Sequence, residues 1–180
     1  MTPEEVLEFW FAGDPATHRE EWFQRTDAFD TACGRFTAAL REARSGAFDH
    51  WTATPRGTLA LIILLDQFSR NLHRNSPEAF AADPKARDIA RAAIAGAADQ
   101  SLGPVERMFV YLPFEHSENL ADQDYSVQLF TPLGEDMVRY AEEHRDVIRR
   151  FGRFPHRNAA LGRVSTQEEL DYLAQPDAGF

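Results

Sequence analysis

The chain has one cysteine, Cys33, in 180 residues. That excludes an internal disulfide and any metal cluster built on paired cysteines. Lysine is as scarce: Lys85 stands against eighteen arginines, a bias that carries no functional weight here. The longest apolar run, Leu59 to Leu65, is far too short to cross a bilayer. No cationic leader followed by an apolar stretch opens the chain, so a cytoplasmic protein without a signal peptide is expected. Sustained strand alternation is missing and β-branched residues are sparse. There is no Gly-rich phosphate loop, no nucleophile elbow and no His-Glu-x-x-His word. An excess of positive charge is lacking too. The formal charge is −10, which argues against nucleic-acid binding, since that rests on neutralising phosphates.

What remains is helical periodicity. Thr2-Pro3-Glu4-Glu5 offers a capping Thr, Pro at the first helical position and Glu at the third, ahead of Val6, Leu7, Trp10 and Phe11. A short helix is expected to hold Glu20, Trp22 and Phe23. From Thr26 to Arg44 one stripe collects Phe29, Ala32, Cys33, Phe36, Leu40 and Ala43, which makes Cys33 a packed thiol. Thr54-Pro55 starts a helix whose Leu59 to Leu65 run is apolar on every face, the mark of an enclosed element. Asp83-Pro84 and Gly103-Pro104 open two more. Ala86, Ile89, Ala90, Ala93, Ile94 and Ala97 face inward on the first, and Pro113 kinks or ends the second. Helices are expected at 125–130, at 135–151 with Gly152 as cap, and from Ser165 or Thr166 to just before Pro176. The expectation is one all-α domain, 1–180, of about eight helices.

Polar residues in apolar places are the informative ones. His144 falls on the stripe Met137, Ala141, His144, Ile148, Phe151, so it must hydrogen bond from an inward slot. It is either a satisfied core histidine or a functional one. Asp66 and Arg70, spaced i, i+4 at the end of the buried helix, allow an ion pair that starts from the interior. Pro113 is followed at once by Glu115, His116, Ser117, Glu118 and Asn119, chemistry that suits an acid–base pair or merely a solvated helix end. The stretch 144–163 carries six arginines (145, 149, 150, 153, 157, 163) against Asp146 alone. A cationic, His-bearing segment in an acidic chain implies that something anionic is held against it, from within or without.

LLDQFSRN at 64–71, YLPFEHSE at 111–118 and HRDVIRRFGRFPHRN at 144–158 together closely resemble the bacterial family catalogued as domain of unknown function 924. VLEFWF at 6–11, LGR at 161–163 and STQEE at 165–169 fit it as well. The resemblance covers nearly the whole chain and implies an all-α fold similar to tetratricopeptide-like arrays. It brings no activity, substrate, cofactor or catalytic residue. It does group the three polar places. The expectation is that they converge on one concave site, with Asp66, Arg70 and Asn71 on one wall. His116 and Glu118 form a second, and His144, Arg153, His156, Arg157 and Asn158 a third.

Three readings are open. A binding module would hold an anionic small molecule or an acidic peptide, with the planar forks of Arg153 and Arg157 on a carboxylate or phosphate. A metal-independent hydrolase-type enzyme would use His116, Glu118 or His144 for acid–base chemistry, with the arginines on the developing charge. A structural network would spend the same groups on the chain's own acids. A metal variant on His116, Glu118, His144 and His156 matches no zinc spacing, so no metal and no cofactor are expected. Neither a nucleic-acid nor a membrane partner is expected, and the sequence leaves the oligomeric state open.

Overall fold

A computed structural model describes residues 1–24, 26–176 and 178–179. Among these residues the protein is all-α, without a strand. The α-helices are α1 (Pro3–Phe11), α2 (Asp27–Cys33), α3 (Thr37–Ser45), α4 (Pro55–Ile63), α5 (Ser69–Leu72), α6 (Asp83–Ala95), α7 (Pro104–Glu115), α8 (Leu120–Phe130), α9 (Glu135–Phe151) and α10 (Gln167–Leu173). A 3-10 turn at Gly34–Phe36 joins α2 to α3, and a π-helical turn at Leu64–Phe68 joins α4 to α5. Counted as continuous rods, the α-helices number eight. No helix is long and apolar enough to cross a membrane among the described residues.

The chain clusters into two compact units. The first holds residues 1–74 and 78–113, the second 75–77 and 114–180. In the first unit α4 is enclosed, and every residue from Leu59 to Leu65 is fully buried. Thr54 caps it by accepting from the Gly57 N–H at 3.1 Å. Gly57 is required: a Cβ there would lie 2.3 Å from the Trp51 carbonyl oxygen. Aromatic rings complete the core. Trp10 stacks on Trp22 at 6.2 Å, and Phe36 meets Phe68 at 4.6 Å. Cys33 is a fully buried free thiol, pushed up to about 12 chiefly by burial and further by Asp30.

The 27–45 stretch is not one uninterrupted α-helix. A 3-10 turn, wound tighter than an α-helix, interrupts it; Ala32, on α2 ahead of the turn, is exposed, while Ala39, beyond it, is buried. Ala97, expected to face inward on α6, lies beyond its end, exposed and in the left-handed region at φ 55°. Pro113 lies inside α7, which runs on to Glu115. Residues 20–22 form a 3-10 turn that stops short of Phe23.

In the second unit α8 packs on α9. On α9, Ala141, His144, Val147 and Ile148 are buried, as the stripe required for Ala141, His144 and Ile148, while Tyr140 is exposed. Gly152, at φ 70°, ends α9 and donates its N–H to the Ile148 carbonyl at 2.8 Å. Thr166 and Glu169 form a reciprocal capping box at the start of α10.

Candidate functional site

The polar words lie in two units, and each group has its own geometry. In the first unit Leu64–Phe68 winds as a π-helix, a form often found at functional positions. Asp66 is completely buried within it, and Gln67 Nε2 donates to Asp66 Oδ2 at 2.5 Å. Arg70 Nη1 donates to the Asp66 carbonyl at 2.7 Å and lies 3.1 Å from Asp66 Oδ1. The same guanidinium forks Asp83, Nη1 to Oδ1 and Nη2 to Oδ2 both at 3.0 Å. Asn71 Nδ2 donates to Asp30 Oδ1 at 2.8 Å, and Arg74 grips the same carboxylate. Asp66, Arg70 and Asn71 therefore tie the π turn to α6 and α2. The sequence does not reveal Asp83 and Asp30 as partners, since there they read only as first-turn residues of α6 and α2.

In the second unit three basic side chains gather around the Phe154 ring, and a fourth lies beside one of them. His144 meets it edge-on at 5.8 Å, His156 lies at 5.5 Å, and the Arg157 guanidinium sits over it at 4.4 Å. His116 is 6.5 Å from His144, ring to ring. His144 and Arg157 are buried, and His116 and His156 are half-buried. His144 Nδ1 lies 2.8 Å from the Tyr140 carbonyl oxygen and 3.5 Å from Glu115 Oε1. A carbonyl can only accept, so Nδ1 carries the proton and Nε2 is the acceptor nitrogen. Burial pushes the His144 imidazolium down to about 3; the Tyr140 carbonyl opposes this, and His116, Arg157 and His156 reinforce it. His144 is thus neutral near pH 7, and its contact with Glu115 is dipolar rather than an ion pair.

In the sequence Glu115 stands out only as part of a polar run. Its carbonyl and that of Ser117 both accept from Gln123 Nε2, at 2.6 and 2.7 Å, which fixes the turn after α7. Gln123 and Ser126 are completely buried on α8, and among the described residues Gln123 Oε1 and Ser126 Oγ have no hydrogen-bond partner.

The other candidate residues hold the 152–169 segment together. Glu118 accepts from the Phe154 N–H at 2.7 Å and is forked by Arg163 at 2.7 and 2.9 Å. Burial alone would raise the Glu118 carboxyl, but Arg163, the Phe154 N–H and Arg157 outweigh it and hold it below the usual range. Arg153 forks Glu169 and also donates to the Val164 carbonyl at 2.9 Å. Asn158 is buried, accepts from Arg163 Nε at 2.9 Å and donates to Ser165 Oγ at 3.0 Å. In the sequence Arg163 and Glu169 belong only to longer words. Their spacing to Glu118 and Arg153, 45 and 16 residues, leaves no local pattern to find. Among the described residues no three His, Cys, Asp or Glu side chains are arranged to hold a metal ion.

The chain belongs to the bacterial DUF924 family, described as bacterial protein of unknown function, whose model matches residues 6–177. It is similar to the solved structure of ATU0120, a protein of unknown function from Agrobacterium tumefaciens. The two share 40% identity over 97% of each chain, with a TM-score of 0.90. No curated protein matches.

Proposed function

We propose that the protein binds a small anion, a carboxylate or phosphate, at the His116, His144, His156 and Arg157 cluster. The observation that carries this reading is the gathering of two imidazoles and a guanidinium around one phenylalanine ring, with the third imidazole, His116, against His144. Basic groups packed so closely oppose each other's protonation, and three of them act on His144 in that sense. A bound anion relieves that repulsion and gains charge-assisted hydrogen bonds from Arg157 and the half-buried histidines. The burial of His144 and Arg157 favours a small molecule over an acidic peptide.

The same geometry weighs against the hydrolase reading. A general base works best with a pKa near the operating pH, and His144 is displaced far below it. Glu118 is engaged by Arg163 and a backbone N–H. Arg153 and Asn158 belong, in this reading, to the framework that presents the cluster, and Asp66, Arg70 and Asn71 to the lock around the π turn.

A thermal-shift series with inorganic phosphate and with citrate tests it. One of the two should stabilise the protein, by about 2.7 kcal/mol at a hundredfold excess over its dissociation constant. Arg157→Gln and His156→Gln should abolish the gain with the fold retained by circular dichroism. A flat series, or a gain unchanged in both variants, overturns the reading.

A further inference from the structure

The first unit has a separate cleft of about 550 Å³, lined by Gly34, Arg35, Thr37, Ala38, Leu40, Arg41, Arg44 and His73. That size is ordinary for a small-molecule site. Its charge is not ordinary for this chain. The lining holds three arginines and a histidine and no carboxylate, in a protein of net charge −10. Elsewhere arginines meet acids: Arg56, Arg74, Arg153 and Arg163 each grip one and Arg70 two. None of the three lining arginines forks a carboxylate in that way among the described residues, although Glu78 and Asp83 act on Arg44 from farther off.

The three are held in different ways. Arg35 lies over Phe36 at 5.1 Å and Phe9 at 5.7 Å. Arg44 hydrogen bonds to neutral groups, Nη2 donating to Ser69 Oγ at 3.2 Å and to the Glu78 carbonyl at 2.5 Å, while burial, opposed by the Glu78 and Asp83 carboxylates, lowers its pKa. Among the described residues its buried Nε has no hydrogen-bond partner. Arg41, one turn before Arg44 on α3, is exposed. His73 caps the C-terminal end of α5 and is half-buried. Burial, then Arg44, push its imidazolium below the usual range, against the opposing pull of Glu78. Leu40 and Ala38 give the cleft an apolar wall beside these cations.

We infer that this cleft is a second, independent ligand site that takes an organic anion: a phosphate or carboxylate head on a short apolar body. The head would meet Arg41, Arg44 and His73; the planar forks of the two arginines suit two-point contacts. The body would lie along Leu40 and Ala38. Apolar burial and charge then act together, so neither an inorganic anion nor a neutral alcohol has the full set of contacts.

Calorimetric titration with hexyl phosphate, inorganic phosphate and hexanol tests the inference. Hexyl phosphate should bind saturably and at least about tenfold tighter than inorganic phosphate, the gain expected from burying two or more methylenes. Hexanol should show no saturable binding. Arg41→Gln should weaken hexyl phosphate at least fivefold without moving the melting temperature, because Arg41 is exposed and pairs with no acid. Arg44→Lys should weaken it as well, and the His73 ring should titrate at higher pH in the complex, followed by NMR. Arg157→Gln should leave this binding intact, so the cleft and the Phe154 cluster fail separately. No saturable binding, an affinity that both arginine variants leave unchanged, or an unmoved His73 titration would overturn the assignment.

Discussion

Arg153 and Glu169 meet in a two-point fork, Nε to Oε1 at 2.6 Å and Nη2 to Oε2 at 2.8 Å. The same carboxylate accepts the Thr166 N–H at 2.7 Å and Asn158 Nδ2 at 3.3 Å. One buried acid therefore joins the turn after α9, the 155–158 segment and the start of α10. Arg153 and the Thr166 N–H hold the Glu169 carboxyl down at about 2, with a smaller contribution from Asn158 and burial opposing.

Arg153→Gln and Glu169→Gln should each lower the melting temperature at pH 7. The double variant should be less destabilised than the sum of the two singles, because the fork is lost in each, while the Val164 bond of Arg153 and the Thr166 and Asn158 bonds of Glu169 are lost separately. A depressed carboxyl contributes stability above its unfolded value near 4.5, and this is lost as pH falls toward 2. The gap between wild type and Glu169→Gln should therefore close on acidification through that window. Additive melting shifts in the double variant would show that the fork carries no coupling energy.

His144 works in a different window. Its folded value near 3 lies below the unfolded 6.5, so between those limits the unfolded chain binds the extra proton. Stability from this group is full above 6.5 and falls as pH drops, by up to about 1.4 kcal/mol per pH unit. His144→Gln should flatten the stability profile between pH 6.5 and 4.5, above the range where Glu169 titrates. His73 slopes the same way and remains in the variant, so the difference isolates His144. Urea unfolding at each pH measures it; parallel profiles for wild type and variant would contradict the buried neutral ring.

Gly57→Ala reverses a general rule. In an exposed helix interior the change would stabilise by about 1 kcal/mol. Here the new methyl would meet the Trp51 carbonyl, a backbone atom that cannot swing aside. The variant should lose about 1–3 kcal/mol, the usual cost of overpacking. Equilibrium unfolding in urea decides the sign, and a stabilised variant would mean that the 49–54 segment yields easily.

Local periodicity already specified most of the helices. Caps at Thr2, Thr54 and Thr166 and the stop at Gly152 are written within four residues of the ends they serve. The enclosed α4 is legible because a helix apolar on every face has nowhere else to go. Two features escaped for a local reason as well. The 3-10 turn at 34–36 and the π turn at 64–68 change the winding without changing the hydrophobic pattern much, so neither is legible, and Asp66 falls within the π segment.

The polar groups were legible as misplaced, and His144 is buried where the stripe put it. Their partners were not legible. Arg153 with Glu169, Arg163 with Glu118, and Arg70 with Asp83 are chosen by how rods pack, at separations of 16, 45 and 13 residues. The arginines of the α3 cleft carried no signal at all, because an exposed Arg with an acid nearby and one without look identical in a sequence. Periodicity and capping act over one or two turns, so composition and order determine them. An ion pair depends on which surfaces meet and on the desolvation their meeting brings, and only the tertiary structure decides which cations the chain neutralises itself.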